Sequence, residues 1–265
     1  MKALAIIPAR FQSTRFPGKP LATIGGKPML QHVYKNVKES GLFDKVVVAT
    51  DDIRIKEAAE SWNAELIMTS ENHPSGTDRC AEVVEILGDD FDIVVNIQGD
   101  EPFISKQPLE QLLAIFEYNP DASLATLVHK IEDPSDIFDE NTAKVVLQRS
   151  TINDQRSTFM KALYFSRSPI PFIRSVDKND WMDYHIFWKH IGLYAYKPET
   201  LKAIVKLPVG LLEKAESLEQ LRWLENGYSI YVAETDYKML SVDTPADLER
   251  AENFFKISGS IYINH

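Results

Sequence analysis

Cysteine, long apolar runs and net positive charge are scarce in this sequence, and each shortage excludes a class of protein. A single cysteine, Cys80, among 265 residues excludes an internal disulfide and a cysteine-based zinc site. Apolar runs such as residues 3–7 and 46–49 fall far short of the roughly 20 residues that span a bilayer. A net charge of −10 argues against a general binder of nucleic acid or anionic membranes. With no signal-peptide pattern, we expect a cytoplasmic protein.

Acidic residues are absent from the first 38 positions, although Asp and Glu outnumber Lys and Arg by 39 to 29 in the chain. Lys35 and Lys38 fall in a predicted helix and are expected to face solvent. Arg10, Arg15 and Lys19 differ, because they lie in a Pro- and Gly-containing loop directly after a predicted strand. The negative average therefore conceals a local concentration of positive charge.

Apolar runs alternate with amphipathic stretches through the first half, which indicates successive strand–helix units. The apolar strands are continuous rather than alternating, which is typical of a parallel sheet covered on both faces. We predict an α/β protein with a three-layer nucleotide-binding fold and a mixed, mostly parallel sheet. The predicted strands are 4–8, 45–50, 64–68, 92–98, 123–130, 143–149, 162–166, 190–196 and 228–233; the predicted helices are 28–40, 52–62, 77–87, 108–118, 211–225 and 245–255.

The loop after the first strand, residues 8–20, is a candidate phosphate-binding loop. Arg10 and Arg15 can each make bidentate contacts with phosphate, and Lys19 adds a point charge. The loop matches neither a Walker P-loop nor a G-x-G-x-x-G fingerprint, which argues against an ATPase and an NAD enzyme. The residues alone also allow a plain surface loop whose cations pair with nearby acids.

Two aspartates are candidate ligands for Mg²⁺. Asp100 follows the fourth predicted strand, at the edge where parallel sheets bind ligands. Magnesium usually takes one or two protein carboxylates, so a second aspartate is enough. Asp243 is that candidate, but on spacing alone Asp243 or Thr244 is more simply the N-cap of the last helix, with Pro245 at its first position.

Three blocks carry a resemblance to a known family: H-x-S-G-T-x-R at 73–79, N-x-Q-G-D-E-P at 96–102 and Y-F-S-R at 164–167. With further blocks in order along nearly the whole chain, the sequence resembles the 3-deoxy-manno-octulosonate (Kdo) cytidylyltransferases, the CMP-Kdo synthetases of Gram-negative bacteria. The further blocks are 7–10, 13–21, 24–29, 49–52, 189–196, 216–222 and 242–245.

The resemblance implies a reaction and an organisation. CMP would pass from CTP to Kdo with release of pyrophosphate, in a Mg²⁺-dependent step that activates Kdo for lipopolysaccharide biosynthesis. The fold would be like that of nucleotide-diphospho-sugar transferases, with a small sugar-binding and dimerisation subdomain. Residues 1–265 would form one cytidylyltransferase domain, in which 1–120 mainly bind CTP, 121–256 bind the sugar acid and dimerise, and 257–265 form a peripheral tail.

The resemblance also assigns roles to individual residues. Arg10, Lys19 and Asp100 would be catalytic, and Asp100 and Asp243 would hold the metal. Arg79 would reach O2 of cytosine, and Arg167 would bind the sugar carboxylate. The nucleotide-binding set is Pro8, Ala9, Arg10, Ser13, Arg15, Lys19, Ser75, Gly76, Arg79 and Gln98; the sugar-binding set is Gln98, Arg167, His190, Tyr194, Glu216, Glu219 and Gln220.

Other interpretations concern the sugar and the class of protein. The acceptor could be an 8-amino Kdo variant or a sialic-type nonulosonate. A non-catalytic nucleotide-binding protein would lack the cations or the metal carboxylates, yet both are present. Asp78 stands where the family often has Glu, and residues 174–187 match nothing in detail, so that a lid or a dimer contact is expected there. We expect His32 and His185 to be structural and Cys80 to be a buried apolar residue.

Overall fold

The computed structural model describes residues 1–12, 16–88, 90–148 and 160–262, without the side chains of 258–262. The strands in these ranges are β1 (Ala3–Pro8), β2 (Thr23–Ile24), β3 (Lys27–Pro28), β4 (Lys45–Thr50), β5 (Leu66–Met68), β6 (Ile93–Asn96), β7 (Leu124–Lys130), β8 (Lys144–Gln148), β9 (Met160–Ser166), β10 (Trp188–Tyr196) and β11 (Tyr231–Glu234). The helices are α1 (Met29–Glu39), α2 (Ile53–Ser61), α3 (Gly76–Leu87), α4 (Lys106–Tyr118), α5 (Pro134–Phe138), α6 (Trp181–Tyr184), α7 (Pro198–Ile204), α8 (Leu211–Glu216), α9 (Gln220–Glu225) and α10 (Pro245–Tyr262). None of these helices is both long enough and apolar enough to cross a bilayer.

The chain forms two compact units whose limits differ from the predicted halves. The first unit contains residues 1–106 together with 239–265, and the second contains 107–238. The boundary thus falls about one helix earlier than position 120, and the C-terminal segment returns to the first unit. No Pro- or Gly-rich linker marks either crossing in the sequence.

The first unit is built on a parallel sheet with the strand order β5-β4-β1-β6, which confirms the prediction from its apolar runs. Strand β1 lies inside this sheet, and its residues Ala3–Ile7 are at most 1% exposed. A strand buried on both faces needs a continuous apolar run, as observed here. Because the strands are parallel, the loops after β1 and β6 emerge at the same edge.

The C-terminal segment completes a small core of the first unit. Ile24, Met29, Val242 and Ala251 are fully buried together. The backbone N–H of Val242 donates to the carbonyl of Asp100 at 3.0 Å. This bond brings the segment before α10 alongside the loop that follows β6.

The second unit pairs its strands mainly antiparallel, although β7 and β11 are parallel, so the predicted parallel character describes the first unit better than the second. The pairing order is β10-β7-β11-β9-β8, and β8 pairs again with β10, which closes a ring of strands. The protein is therefore a mixed α/β protein with parallel and antiparallel strand pairs.

One sequence expectation for the second unit needs correction, and one feature of this unit was not expected. The predicted helix 211–225 is broken into α8 and α9, because Ser217 takes a left-handed conformation with φ of 52°. The aromatic stretch 174–187 supplies core residues, since Trp181 and Phe187 are 2% exposed and pack with Ile131 and Ile137. Aromatic side chains bury large areas, and a stretch rich in them is often core.

Candidate active site

A cavity of about 820 Å³ lies in the first unit, beyond the ends of β1 and β6. This size is typical of sites for small-molecule ligands. Every described member of the predicted nucleotide-binding set lines the cavity, as do both predicted metal ligands. Ser13 and Arg15 lie outside the described residues. The predicted members are Pro8, Ala9, Arg10, Lys19, Ser75, Gly76, Arg79, Gln98, Asp100 and Asp243; Phe11, Gln12, Pro17, Pro20, His73 and Gly99 join them without having been predicted.

Pro8 is flanked by two glycines that leave room for a close approach of backbones. A Cβ added at Gly76 would lie 3.2 Å from Cγ of Pro8, and one at Gly99 would lie 3.1 Å from the Pro8 carbonyl oxygen. Both distances are tighter than ordinary van der Waals contact. The glycines therefore allow the backbone at positions 76 and 99 to pack closely against Pro8 in this wall of the cavity.

Helix α3 begins at the cavity with Ser75 as its N-cap. The Ser75 hydroxyl accepts from the N–H groups of Thr77 and Asp78 at 3.1 and 3.2 Å and donates to the Asp78 carboxylate at 2.6 Å. A serine followed three residues later by an acid is a recurrent helix start. Asp78, which stands where the family often has Glu, is thus bonded to the N-cap of the helix.

Arg79 is held at the cavity wall, with 4% of its surface exposed. Its guanidinium donates to the Thr69 hydroxyl and lies 2.9 Å from a carboxylate oxygen of Asp51. A guanidinium carries five N–H groups, so these two contacts leave further donor capacity for a ligand. This burial excludes a solvent-exposed helix arginine at position 79.

Lys19 joins the two predicted metal ligands. Its ammonium lies 2.7 Å from Oδ2 of Asp100 and 3.0 Å from Oδ1 of Asp243. Burial alone would lower the pKa of Lys19, but the two carboxylates outweigh this effect and raise it. Both carboxylates therefore converge on one cationic centre, next to the cavity.

Asp243 can reach Lys19 because another residue caps helix α10. The Asp247 carboxylate accepts from the N–H and the hydroxyl of Thr244 at 2.8 and 2.9 Å, and the Thr244 hydroxyl accepts from the Asp247 N–H at 3.3 Å. This reciprocal pair is a capping box. Of the two caps that the sequence allowed, Thr244 is the one used, and the side chain of Asp243 turns to the cavity.

Phe11 was missed by the sequence reasoning, although its contacts anchor the loop after β1. The guanidinium carbon of Arg54 lies 3.3 Å from the centroid of the Phe11 ring, and Arg54 is held by both oxygens of Asp52. The Phe11 carbonyl accepts from the N–H of Gly18, whose φ of +74° favours glycine. An aromatic residue between two arginine-containing stretches was the signal that could have identified it.

His73 also lines the cavity without having been predicted. Its Nε2 contacts the Glu82 carboxylate, which also accepts from the Ser70 N–H at 2.8 Å. Burial would raise the pKa of Glu82, but the bonds from His73 and Ser70 lower it overall. The pair ties the loop before α3 to that helix.

The predicted sugar-binding residues other than Gln98 lie in the second unit, where Arg167 and Glu216 are in direct contact. The Glu216 carboxylate accepts from the Ser166 hydroxyl at 2.6 Å and from the Arg167 N–H at 2.9 Å. The Arg167 guanidinium donates to backbone carbonyls, including that of Glu216 at 2.7 Å. Because backbone carbonyls carry no formal charge, these contacts do not neutralise the positive charge of the Arg167 guanidinium.

His190 and Tyr194 form a second group on β10, with ring centroids 5.2 Å apart. Burial lowers the pKa of His190 to about 3, so that the ring is neutral at pH 7. The Thr126 hydroxyl donates to the Leu193 carbonyl at 2.7 Å and lies 3.0 Å from His190 Nε2. Because that hydroxyl proton is engaged, the consistent tautomer carries its proton on Nε2 and leaves Nδ1 as an acceptor.

Two buried polar atoms of the predicted sugar-binding set have no partner among the described residues: the Tyr194 hydroxyl and Nε2 of Gln220. Such groups are costly unless a ligand or water bonds to them. Burial, with the charge of Glu219, raises the pKa of Tyr194 well above its ordinary value. Hydroxyl groups of a ligand are suitable partners for both atoms.

The two histidines expected to be structural make ordinary contacts. His32 Nε2 bonds to the Ile24 carbonyl oxygen at 2.7 Å, and the His185 ring packs on Phe187. Cys80 is fully buried, as predicted.

Comparisons with known proteins give a consistent result. A family model for cytidylyltransferases matches residues 4–234. A 3-deoxy-manno-octulosonate cytidylyltransferase of Bacteroides thetaiotaomicron is 51% identical over 259 residues, covering 97% of this chain and 99% of the relative. A solved structure of CMP:2-keto-3-deoxy-manno-octonic acid synthetase complexed with CTP is 39% identical, with a TM-score of 0.87 over 97% of this chain and 100% of that chain.

A more distant solved structure shares the fold. The 4-diphosphocytidyl-2C-methyl-D-erythritol synthase of Anaerococcus prevotii is 16% identical, with a TM-score of 0.58 over 96% of this chain and 98% of that chain. At this identity the likeness concerns architecture alone.

Proposed function

The chain belongs to the family of 3-deoxy-manno-octulosonate cytidylyltransferases, and from that premise we propose that it transfers CMP from CTP to Kdo, releasing pyrophosphate and activating Kdo for lipopolysaccharide biosynthesis. The observation that carries the proposal is the convergence of the predicted nucleotide-binding residues and both aspartates on one cavity. Cations for a triphosphate and carboxylates for its metal are the two components that this reaction needs in one place.

The wall formed by Pro8, Ala9 and Ser75 is suited to cytosine. Cytosine has an N4 donor next to the N3 and O2 acceptors. Backbone carbonyls of the wall can accept from N4, and Arg79 can donate to O2. Gly76 lets this backbone come close to the base.

Arg10 and Lys19 hold the triphosphate in this proposal. The C2 hydroxyl of the sugar attacks the α-phosphorus, the new P–O bond forms as the bond to the β-phosphate oxygen breaks, and the hydroxyl proton leaves to solvent. Negative charge grows on the departing pyrophosphate. Fixed cations that meet this charge stabilise the transition state.

Asp100 and Asp243 would hold Mg²⁺. The fit of these residues rests on Lys19, whose ammonium already brings both carboxylates within 3.0 Å of one cation. Among the described residues no group of three or more His, Cys, Asp or Glu converges, and two carboxylates with phosphate oxygens suit magnesium. When bound, the ion would act as a Lewis acid that orients the α-phosphate and acidifies the attacking hydroxyl.

The sugar acid would be bound by residues of the second unit, and Gln98 stays a predicted contact. Arg167 supplies a guanidinium for the carboxylate. Nδ1 of His190, the Tyr194 hydroxyl and the Gln220 amide supply acceptor and donor atoms for the hydroxyls. Glu216 and Glu219 stay predicted contacts of this sugar.

A homodimer is also part of the proposal. Phe172 and Tyr184 are 71% and 69% exposed, and the Phe172 ring packs against the buried Trp181. Exposed aromatic side chains around a buried one are suited to a contact with a second copy. Light scattering after gel filtration tests the assembly. A cytoplasmic location stays a prediction.

The direct test of the function is pyrophosphate release from CTP in the presence of Kdo. ATP, GTP and UTP serve as nucleotide controls, and 8-amino-Kdo and a nonulosonate serve as sugar controls. Asp100→Asn, nearly equal in shape, is the control variant and should show no Mg²⁺-dependent turnover. Release with a nonulosonate and not with Kdo would overturn the assignment of the sugar.

A further inference from the structure

Lys144 is a buried lysine for which the proposed reaction has assigned no role. It is the first residue of β8, and none of its surface is exposed. Its ammonium donates to the backbone carbonyls of Asp139 at 2.7 Å, Thr142 at 2.6 Å and Arg167 at 2.5 Å. An ammonium has three N–H groups, so these bonds use its whole donor capacity. Buried lysines are rare, and this one is held by carbonyls of three separate residues.

Two of those carbonyls belong to a turn between α5 and β8, residues 139–142. The Asp139 carboxylate braces the turn by accepting from the Asn141 N–H at 2.9 Å and the Thr142 hydroxyl at 3.3 Å. The carbonyl of Glu140, in the same turn, accepts from Nη1 of Arg167 at 2.9 Å. The turn is therefore held by two cations, Lys144 and Arg167.

Arg167 is in turn fixed at its backbone and at its side chain. Lys144 binds its carbonyl, and the Glu216 carboxylate binds its N–H at 2.9 Å. Its guanidinium donates to the carbonyls of Glu140, Glu216 and Ser217. These bonds engage three of the five guanidinium N–H groups, and the carbonyls carry no formal charge. The group keeps a directed positive charge of the kind that a carboxylate recognises.

We propose that Lys144 is a positioning residue for the sugar acid, because it fixes the Arg167 backbone and the 139–142 turn and thereby sets the direction of the Arg167 guanidinium. The inference rests on the proposed function, since it takes Arg167 as the group that binds the sugar carboxylate. Directional hydrogen bonds to a buried ammonium are well suited to this role. Burial lowers the pKa of Lys144 and the nearby guanidinium acts in the same direction, whereas Asp139 acts against them.

The test is Lys144→Met, which keeps most of the length of the side chain and removes the three donors. We expect the KM for Kdo to rise at least about tenfold, since small misplacements of positioning groups have effects of this size. The KM for CTP should stay within twofold. Lys189→Met is the matched control, because Lys189 pairs with Lys144 across β8 and β10 but contacts a carboxylate, that of Asp136 at 2.8 Å. It should leave both KM values unchanged.

A double-mutant cycle separates positioning from general destabilisation. If Lys144 acts through Arg167, Lys144→Met should change the KM for Kdo less than twofold in an Arg167→Gln background. An equal rise in both backgrounds, or a parallel rise in both KM values, would overturn the proposal. If Lys144→Met does not fold, Asp139→Ala loosens the same turn from the surface, and a sugar KM equal to that of the wild type then overturns it. A wild-type enzyme inactive with Kdo would instead refute the proposed function.

Discussion

Replacing Lys19 by methionine should make the protein bind a divalent cation more tightly while making it a poorer enzyme. In the present structure the Lys19 ammonium is the cation shared by Asp100 and Asp243. A divalent cation at the two carboxylates must displace it. Methionine keeps most of the length of the side chain and removes the competing charge.

The size of the gain can be worked out from the two contacts. A hydrogen bond to a charged group contributes about 1.5–3 kcal/mol. The Asp243 side chain is 39% exposed, so solvent screens its contact, and we count only the contact with Asp100, whose side chain is 24% exposed. Because 1.4 kcal/mol corresponds to a factor of ten, Lys19→Met should tighten cation binding by roughly ten- to a hundredfold in the absence of nucleotide.

Electron paramagnetic resonance of free Mn²⁺ measures this binding without any turnover. Lys27→Met, at an exposed lysine of the same acid-free segment, is the matched control and should bind Mn²⁺ as the wild type does. Adding Asp100→Asn to Lys19→Met should remove the gain in Mn²⁺ affinity, which would show that the ion binds at Asp100. Equal Mn²⁺ affinity of Lys19→Met and wild type would refute the view that Lys19 occupies the position of the metal. Turnover with CTP should fall in the same variant, because Lys19 also holds the triphosphate.

Three further variants probe separate features. Gly76→Ala should raise the KM for CTP about tenfold with little change in the melting temperature, since its Cβ would lie 3.2 Å from Pro8; an unchanged KM would contradict a close approach of the base. Thr244→Ala should cost about 1 kcal/mol in urea unfolding by removing a helix cap, and a loss below measurement would show that Asp247 alone suffices. Burial in the folded protein lowers the pKa of His190 from 6.5 to about 3. As the pH drops through this window, the unfolded chain binds a proton before the folded chain does, so the free energy of unfolding should fall. His190→Gln should flatten that decline in unfolding experiments from pH 7 to 4, and parallel curves would be evidence against a buried neutral imidazole.

The first unit was predictable because its signals are local. Its strands are continuous apolar runs and its helices have caps nearby in sequence, so that β4 (Lys45–Thr50) was predicted to the residue. Arg10, Lys19 and Asp100 followed from one rule, that loops at the carboxyl edge of a parallel sheet carry the chemistry. The remaining nucleotide-binding residues were implied by the family resemblance. The sequence did not decide whether Asp243 is a metal ligand or a helix cap, because this depends on which side chain caps helix α10 in the folded protein.

The second unit was harder because tertiary contacts override local preference. Residues 211–225 contain neither Gly nor Pro and favour one helix, yet Ser217 interrupts it. Arg222 binds the Glu213 carboxylate with two bonds of 2.6 Å, and Arg167 binds the backbone at Glu216. These tertiary contacts stabilise an interruption of the helix that no sequence pattern within residues 211–225 indicates. The unit boundary at 106/107 was missed for a similar reason, since α4 runs across it without a change of composition.

The return of residues 239–265 to the first unit has a consequence for synthesis on the ribosome. A nascent chain that has exposed residues 1–106 holds Lys19 and Asp100 but lacks Asp243 and the core residues Val242 and Ala251. The second unit, whose residues are contiguous, can fold before the first is complete. The paired carboxylates therefore come together only after nearly the whole polypeptide has been translated, and a prematurely terminated chain cannot assemble them.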